Sequence, residues 1–292
     1  MSSAKAELRK RRMKEFWGSV YHNKMAMAGT TVLTFFILIA IFGPFIMPFN
    51  PLDIGEVSDM LLPPSKDHWL GTDEMGRDVL ANLVSGARIS MLVGVLATLI
   101  SMFIGTAVGI VAGYFGKGVD QVLMRFTDFF LAIPWLPLMM VLAAILGTNI
   151  WNIILVIGIT GWPGTARVVR AQTLSVRERP FVERTVSIGA GKFHIMLKHI
   201  MPNVFPLIFA NTVLVAAVAI ISETTLSFLG LGDVSRSSWG MMLHYAFESG
   251  ATSSNAYWYY LPPGLCVVLV VLSFSLMGYA FDEIMNPKLK ER

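Results

Sequence analysis

Six apolar stretches constrain this chain more than any other feature: 25–47, 89–114, 126–146, 150–168, 204–221 and 261–281. Each is close to the ~20 residues a helix needs to cross a bilayer. Backbone placed there must satisfy its own hydrogen bonds, so each stretch is expected to be a helix. Only 14% of residues are charged, against about 25% in soluble chains. The expected fold class is an all-α membrane protein with six transmembrane helices. A basic cluster precedes the first stretch, as in a signal peptide. A signal core, however, runs only about 7–15 residues, and no small-residue cleavage site follows 25–47. It is read as a retained helix. Pro134 and Pro137 are expected to kink or break the third span, and Trp162-Pro163-Gly164 to interrupt the fourth.

Six spans put both termini on one side. Of 23 Lys and Arg, only Lys66, Arg77, Arg88 and Arg236 fall on the opposite side. The basic side is the cytoplasmic one, so both termini are expected in the cytoplasm. The organisation is then a cytoplasmic N-terminal segment (1–24), a first helix (25–47), an acidic outer loop (48–88), a membrane core (89–285) and a cytoplasmic tail (286–292). The core contains a basic cytoplasmic loop at 170–203 and an outer loop at 224–260 rich in Gly, Ser and aromatics. Tyr257, Trp258, Tyr259 and Tyr260 fit either an interfacial aromatic belt or a docking surface.

Inside the spans, Ala97, Ser101, Gly105, Gly109 and Gly113 recur every four residues and form a ridge of small side chains. Such ridges let backbones approach closely. A tight translocation core, a seam between subunits and ordinary packing within the chain are all open. Asp128 follows Arg125 by one turn, a spacing that pairs them, and Glu223 closes the outer end of the fifth span. No carboxylate sits near a span's midpoint, which counts against a proton- or sodium-coupled carrier. The lone Cys266 permits no disulfide within the chain.

Gly189-Ala190-Gly191-Lys192 has the look of a phosphate-binding loop, which requires G-x-x-x-x-G-K-[ST]. The upstream glycine position is Val186 and the hydroxyl position is Phe193, so that reading fails. The dinucleotide pattern fails at His194. His194 and His199, five apart, do not share an α-helical face and make a poor metal pair. Metalloprotease and nucleophile-elbow motifs are absent, and the basic residues flank membrane spans rather than forming a nucleic-acid surface. Nothing points to an enzyme or to a cofactor held by this chain.

The same segment reads better as two short helices. Pro180 opens one, with Phe181, Val182, Thr185 and Val186 on a face. Gly189 and Gly191 form a hinge. Phe193, Met196, Leu197, Ile200 and Met201 then give a 3.6-period apolar stripe, and Pro202 marks the end of that helix or the bend into the fifth span. Such a pair could lie at the lipid interface or insert an apolar knob into a partner's groove.

Glu183, Gly189 and Pro202, so spaced between the fourth and fifth spans, resemble the E-A-A-x3-G-x9-I-x-L-P loop of ABC-importer permeases. Arg184 and Thr185 stand at the two alanine positions, His199 at the isoleucine and Met201 at the leucine. "HWLGTDEMGRDVLANLVSGARISMLVG" (68–94), "ISETTLSFLGLG" (221–232), "SWGMML" (238–243) and the ending "MGYAFDEIMNPK" are similar to the C-type subunit of dipeptide/oligopeptide permeases. The resemblance implies a type I importer permease fold in the plasma (inner) membrane. It implies a second, B-type permease subunit, two ABC ATPases that hold ATP and magnesium, and an extracytoplasmic substrate-binding protein. The cytoplasmic loop 170–203 would be the coupling loop, with Glu183, Arg184, Thr185, Gly189, Gly191, Phe193, Met196, Leu197, Ile200 and Pro202 as its ATPase-coupling residues. The implied cargo is di- or oligopeptides, with oligosaccharides or nickel chelates as alternatives in similar families.

Overall fold

The structure is a computed structural model describing residues 18–285. The basic residues of 1–17 and the tail 286–292, on which part of the orientation expectation rests, lie outside the described residues. Among the described residues the fold is helical, with a single isolated bridge between Thr72 and Asp78.

Helix α1 (Lys24–Ile46) begins at Asn23, whose Oδ1 accepts from the Met25 and Ala26 amides. Its outer face, including Phe35, Leu38, Ile41 and Phe42, is exposed, as a lipid-facing surface should be. Helix α2 (Val79–Phe115) is 37 residues long, about 56 Å at 1.5 Å per residue. It starts ten residues before the expected span, capped by the Asp78 carboxylate on the Ala81 amide. Helix α2 therefore begins within the segment 48–88.

The third span is two helices, α3 (Lys117–Ala132) and α4 (Trp135–Leu146), bent 87° at the break. Pro134 explains it. It has no N–H to continue the ladder and forces Ile133 into an extended conformation (φ −81°, ψ 128°). Pro137 breaks nothing, because it falls in the first turn of α4, where its N–H is not needed. Counting the bent pair as one crossing gives six spans.

The fourth span, α5 (Ile150–Arg177), runs through Pro163 without interruption, contrary to expectation. The neighbouring α2 holds it. A Cβ on Gly105, Gly109 or Gly113 would lie 2.7–2.9 Å from Thr165, Ala166 O, Val169, Arg170 O or Thr173 of α5. These three glycines thus pack within the chain and form no seam between subunits. Ala97 and Ser101, farther along the ridge, pack in the same way against Gly158 and Gly161 of α5 and also border a cavity.

Asp128 pairs with Arg167 of α5 at 2.5 Å and not with Arg125, and Asp120 pairs with Arg170. Two carboxylates thus tie the amphipathic α3 to α5.

Helix α6 spans Pro180–Ser187. Helix α7 (Lys192–Leu231) carries the fifth span and includes π-helical turns at Met196–Ile200 and Ser227–Leu231. Pro202 does not end it, since it sits in the first turn after the π segment. Helix α8 (Trp239–Glu248) lies in the outer loop, and α9 (Tyr257–Met285) is the last span. Glu223 does not snorkel; it sits in the last α-helical turn before the π segment. It is buried, accepting hydrogen bonds from Ser227 Oγ (2.8 Å) and Ser90 Oγ (3.3 Å).

The outer segments fold onto this frame. Asp73 Oδ2 accepts from Arg77 Nε at 2.7 Å, both buried, and Asp73 Oδ1 takes the Met75 and Arg77 amides. Gly71 adopts φ +68°, and a Cβ there would meet Leu62 O at 2.4 Å and Trp258 at 2.7 Å. Trp239 and Tyr259 are wholly buried and Trp258 and Tyr260 partly so; only Tyr257 is substantially exposed. The aromatic run is therefore mostly core and not a belt. Burial beside Tyr259 pushes the Glu74 carboxyl up. A raised folded-state pKa favours the protonated form, so this contribution is present below the ordinary carboxylate range and is lost as pH rises. Glu74→Gln is therefore expected to raise the thermal midpoint at pH 7.5 by about 1–3 °C. The difference should vanish below pH 4.5, the ordinary glutamate value, when fluorescence-monitored unfolding is followed in detergent.

Candidate functional site: the cytoplasmic helix pair

Pro180 supplies the fixed φ that opens α6 at its first position, with Arg179 extended before it. The helix stops where Gly189 takes φ +82°. The Gly189 and Ala190 amides then close onto Val186 O (2.9 Å) and Thr185 O (3.3 Å), a glycine-ended cap. Gly191 differs. It is extended at φ −66° with open space around it, so the hinge requires only one of the two glycines.

The buried side of the pair is narrow. Val182, Ile195, Met196 and Ile200 pack with Ile110, Val169, Val176 and Val204 from α2, α5 and α7. Of the face expected on α6, only Val182 is buried; Phe181 and Val186 are exposed and Thr185 is half-buried. The expected stripe on α7 is also split. Met196 and Ile200 point inward, joined by Ile195, while Phe193 (74% exposed), Leu197 and Met201 point out. The π turn is the reason, because its i→i+5 hydrogen bonding widens the turn beyond 3.6 residues and brings Ile195 and Ile200 toward the same side. It also brings His194 and His199, five apart, to ring centroids 5.6 Å from each other, so they do share a face. No group of three or more metal-ligating side chains occurs among the described residues.

The outward side carries Val186, Ile188, Phe193 and Leu197, all more than half exposed. Glu183, Arg184, Lys192 and Lys198 stand around them, exposed. The Lys192 ammonium lies 5.4 Å from the Phe115 ring, which ties the start of α7 to the end of α2. Between α2, α5 and α6 opens a cleft of about 710 Å³, lined by Tyr114, Arg177, Glu178, Glu183 and Lys192. Glu183 and Pro202 are both exposed. Thr185 and Ser187 spend their hydroxyls on the Phe181 and Glu183 carbonyls, back within α6. The result is an apolar knob with a charged rim on a base anchored in three helices. It has the parts for a rigid mechanical contact.

Sequence reasoning missed Ile195 and Ile188, and set Val182 on one face with Phe181 and Val186 where it is the one buried member. A signal for Ile195 existed in its five-residue spacing to Ile200, which a 3.6-period search discards.

Comparison with known proteins bears on this arrangement. The family described as "Binding-protein-dependent transport system inner membrane component" matches residues 105–291, and "N-terminal TM domain of oligopeptide transport permease C" matches 12–64. The dipeptide transport system permease protein DppC of Bacillus subtilis is 36% identical over 275 residues, covering 94% of this chain and 85% of that protein. The oligopeptide transport system permease protein OppC of the same organism is 33% identical over 271 residues, covering 92% and 87%. A solved structure of the MetNI methionine ABC transporter in inward-facing conformations is similar with a TM-score of 0.55 at 18% identity. The match covers 70% of this chain and 94% of that one; it shows a shared fold.

Proposed function

The chain belongs to the binding-protein-dependent transport permeases, in their dipeptide/oligopeptide C-type branch, and on that premise we propose how it works and with what. It is a multi-pass membrane protein and a pore-forming subunit of an ABC transporter complex, not itself an ATPase. Its cargo is di- or oligopeptides. It pairs with a second, B-type permease subunit, two ABC ATPases that hold ATP and magnesium, and an extracytoplasmic binding protein. It sits in the plasma (inner) membrane with both termini cytoplasmic, as the distribution of Lys and Arg supports.

One observation carries the coupling role: the knob of Val186, Ile188, Phe193 and Leu197 is exposed while its base is buried. A helix pair lying in lipid would need no such anchored base. The loop 170–203 is the coupling loop, and the knob enters a groove of the ATPase. ATP shifts the permease only if that contact differs between the open and closed ATPase. The α7 helix then carries the movement directly, since it runs from the knob at Lys192 through the membrane to Leu231. Peptide uptake by the reconstituted complex, with and without ATP, tests this reading.

A further inference from the structure

The outer segments enclose a groove of about 250 Å³ between residues 49–54, α8 and the first turns of α2. Its floor is apolar and soft: Met75, Met241 and Met242, with Phe49 and Tyr245. Methionines adapt their shape to what they meet and recur at binding surfaces. Leu52, Ile54 and Val234 form the rim and are 70%, 76% and 61% exposed. Asn82 also lines the groove, seven residues before the apolar stretch opens at Ile89. That is about 10 Å outward along α2 at 1.5 Å per residue, so lipid tails do not cover the rim.

The rim is held in place by backbone. The Gly55 amide donates to Met75 O at 2.8 Å, and a Cβ on Gly55 would meet Gly76 O at 2.6 Å. Leu52 and Ile54 are thereby fixed in water, and apolar side chains grouped in a polar surround mark a surface that another protein covers. The charges around them have a sign. Both arginines of the groove are offset, Arg77 Nε by Asp73 at 2.7 Å and Arg236 Nε by Asp233 at 3.9 Å. Among the described residues, Asp53 and Glu56 accept only from neutral donors, Asn50 Nδ2 and Ser58 Oγ. The two outer segments, 48–88 and 224–260, hold nine acidic and four basic residues. The groove thus presents an apolar mouth in an acidic surround.

We propose that this groove docks the extracytoplasmic binding protein, through an apolar side chain of that protein flanked by lysine or arginine. This rests on the importer reading above, which brings such a protein to the outer face without saying where it meets this chain. The groove is smaller than the about 300–1,000 Å³ of small-molecule sites, but it has room for a side chain or two. An obligate seam with the second permease subunit would be broader and more apolar. A charged rim suits a partner that comes and goes, because complementary charge speeds encounter.

The test uses the complete transporter in proteoliposomes and its purified binding protein loaded with trialanine. Leu52→Ser with Ile54→Ser should weaken binding-protein affinity at least about tenfold. Asp53→Lys with Glu56→Lys should slow association about tenfold at low salt, and the deficit should fade near about 0.5 M salt. On a Cys266→Ala background, Ile54→Cys is expected to react with a membrane-impermeant maleimide added outside. Bound binding protein should slow that reaction at least about fivefold, since water is shut out of an interface core. Unchanged binding in both double variants, or labelling indifferent to the binding protein, overturns the site while leaving the importer reading in place. So does an Ile54→Cys that is unreactive before the binding protein is added, because another subunit then covers the rim. If a double variant fails to assemble, cysteine protection decides alone. If the unmutated complex does not take up the binding protein at all, the importer reading and the site fall together.

Discussion

Replacing Gly189 by valine is expected to cut ATP-driven peptide uptake at least about tenfold while the chain still inserts in the membrane. Gly189 holds φ +82°, and a Cβ there would meet nothing within 4 Å, so conformation and not space is the obstacle. The left-handed region costs an L-residue about 1–2 kcal/mol, and a β-branched one is a still rarer occupant. About 1.4 kcal/mol is a factor of ten in an equilibrium. The strain falls on α6, only eight residues long, which is marginal without its cap. Losing the cap turns Val186 and Ile188 away from Phe193 and Leu197 and breaks the knob. Gly191→Ser is the internal contrast. At φ −66° and at the N-cap of α7, serine fits and is a preferred capping residue, so uptake should stay above about half. Equal losses in the two variants would show that the hinge conformation is not what matters.

Gly109→Leu should act earlier, at folding. Its Cβ would lie 2.7 Å from Ala166 O and 2.7 Å from Val169 Cβ. One of these is backbone, so no rotamer change relieves it. Overpacking costs about 1–3 kcal/mol, and more when two long helices must separate. The neighbouring Gly105 and Gly113 contacts with Thr165 and Thr173 would open with it. The expected result is a chain that accumulates at a small fraction of the normal level and unfolds at least about 5 °C lower in detergent. Gly118→Ala, at a position with nothing within 4 Å, should show neither effect. A Gly109→Leu chain of normal abundance and thermal midpoint would refute the α2–α5 packing.

Much of this was legible because bilayer crossing imposes length and hydropathy on a segment. The six crossings, the Pro134 break and the cap at Gly189 all follow from local rules. Other features depend on neighbours distant in sequence. Pro163 reads as a helix breaker until α2 is seen holding α5 along its length. The first turns of α2, with the buried Asn82, read as loop because that polarity is offset by a partner, Ser237, 155 residues away. Asp128 finds Arg167, 39 residues on, sooner than Arg125 one turn away. In the coupling loop, the spacing of Glu183, Gly189 and Pro202 located the element. Its working faces were misread because a π turn replaces the 3.6 period between Met196 and Ile200. Two glycines that look alike in sequence separate only by φ.

The most direct test of the central claim is peptide uptake into proteoliposomes. These would hold this chain with its B-type partner, two ATPases and binding protein, compared with liposomes lacking the ATPases. The account predicts accumulation of labelled di- and tripeptides only when ATPases and ATP are both present, and no ATP hydrolysis by this chain alone. Peptide accumulation without the ATPases, or hydrolysis by the isolated chain, would contradict it.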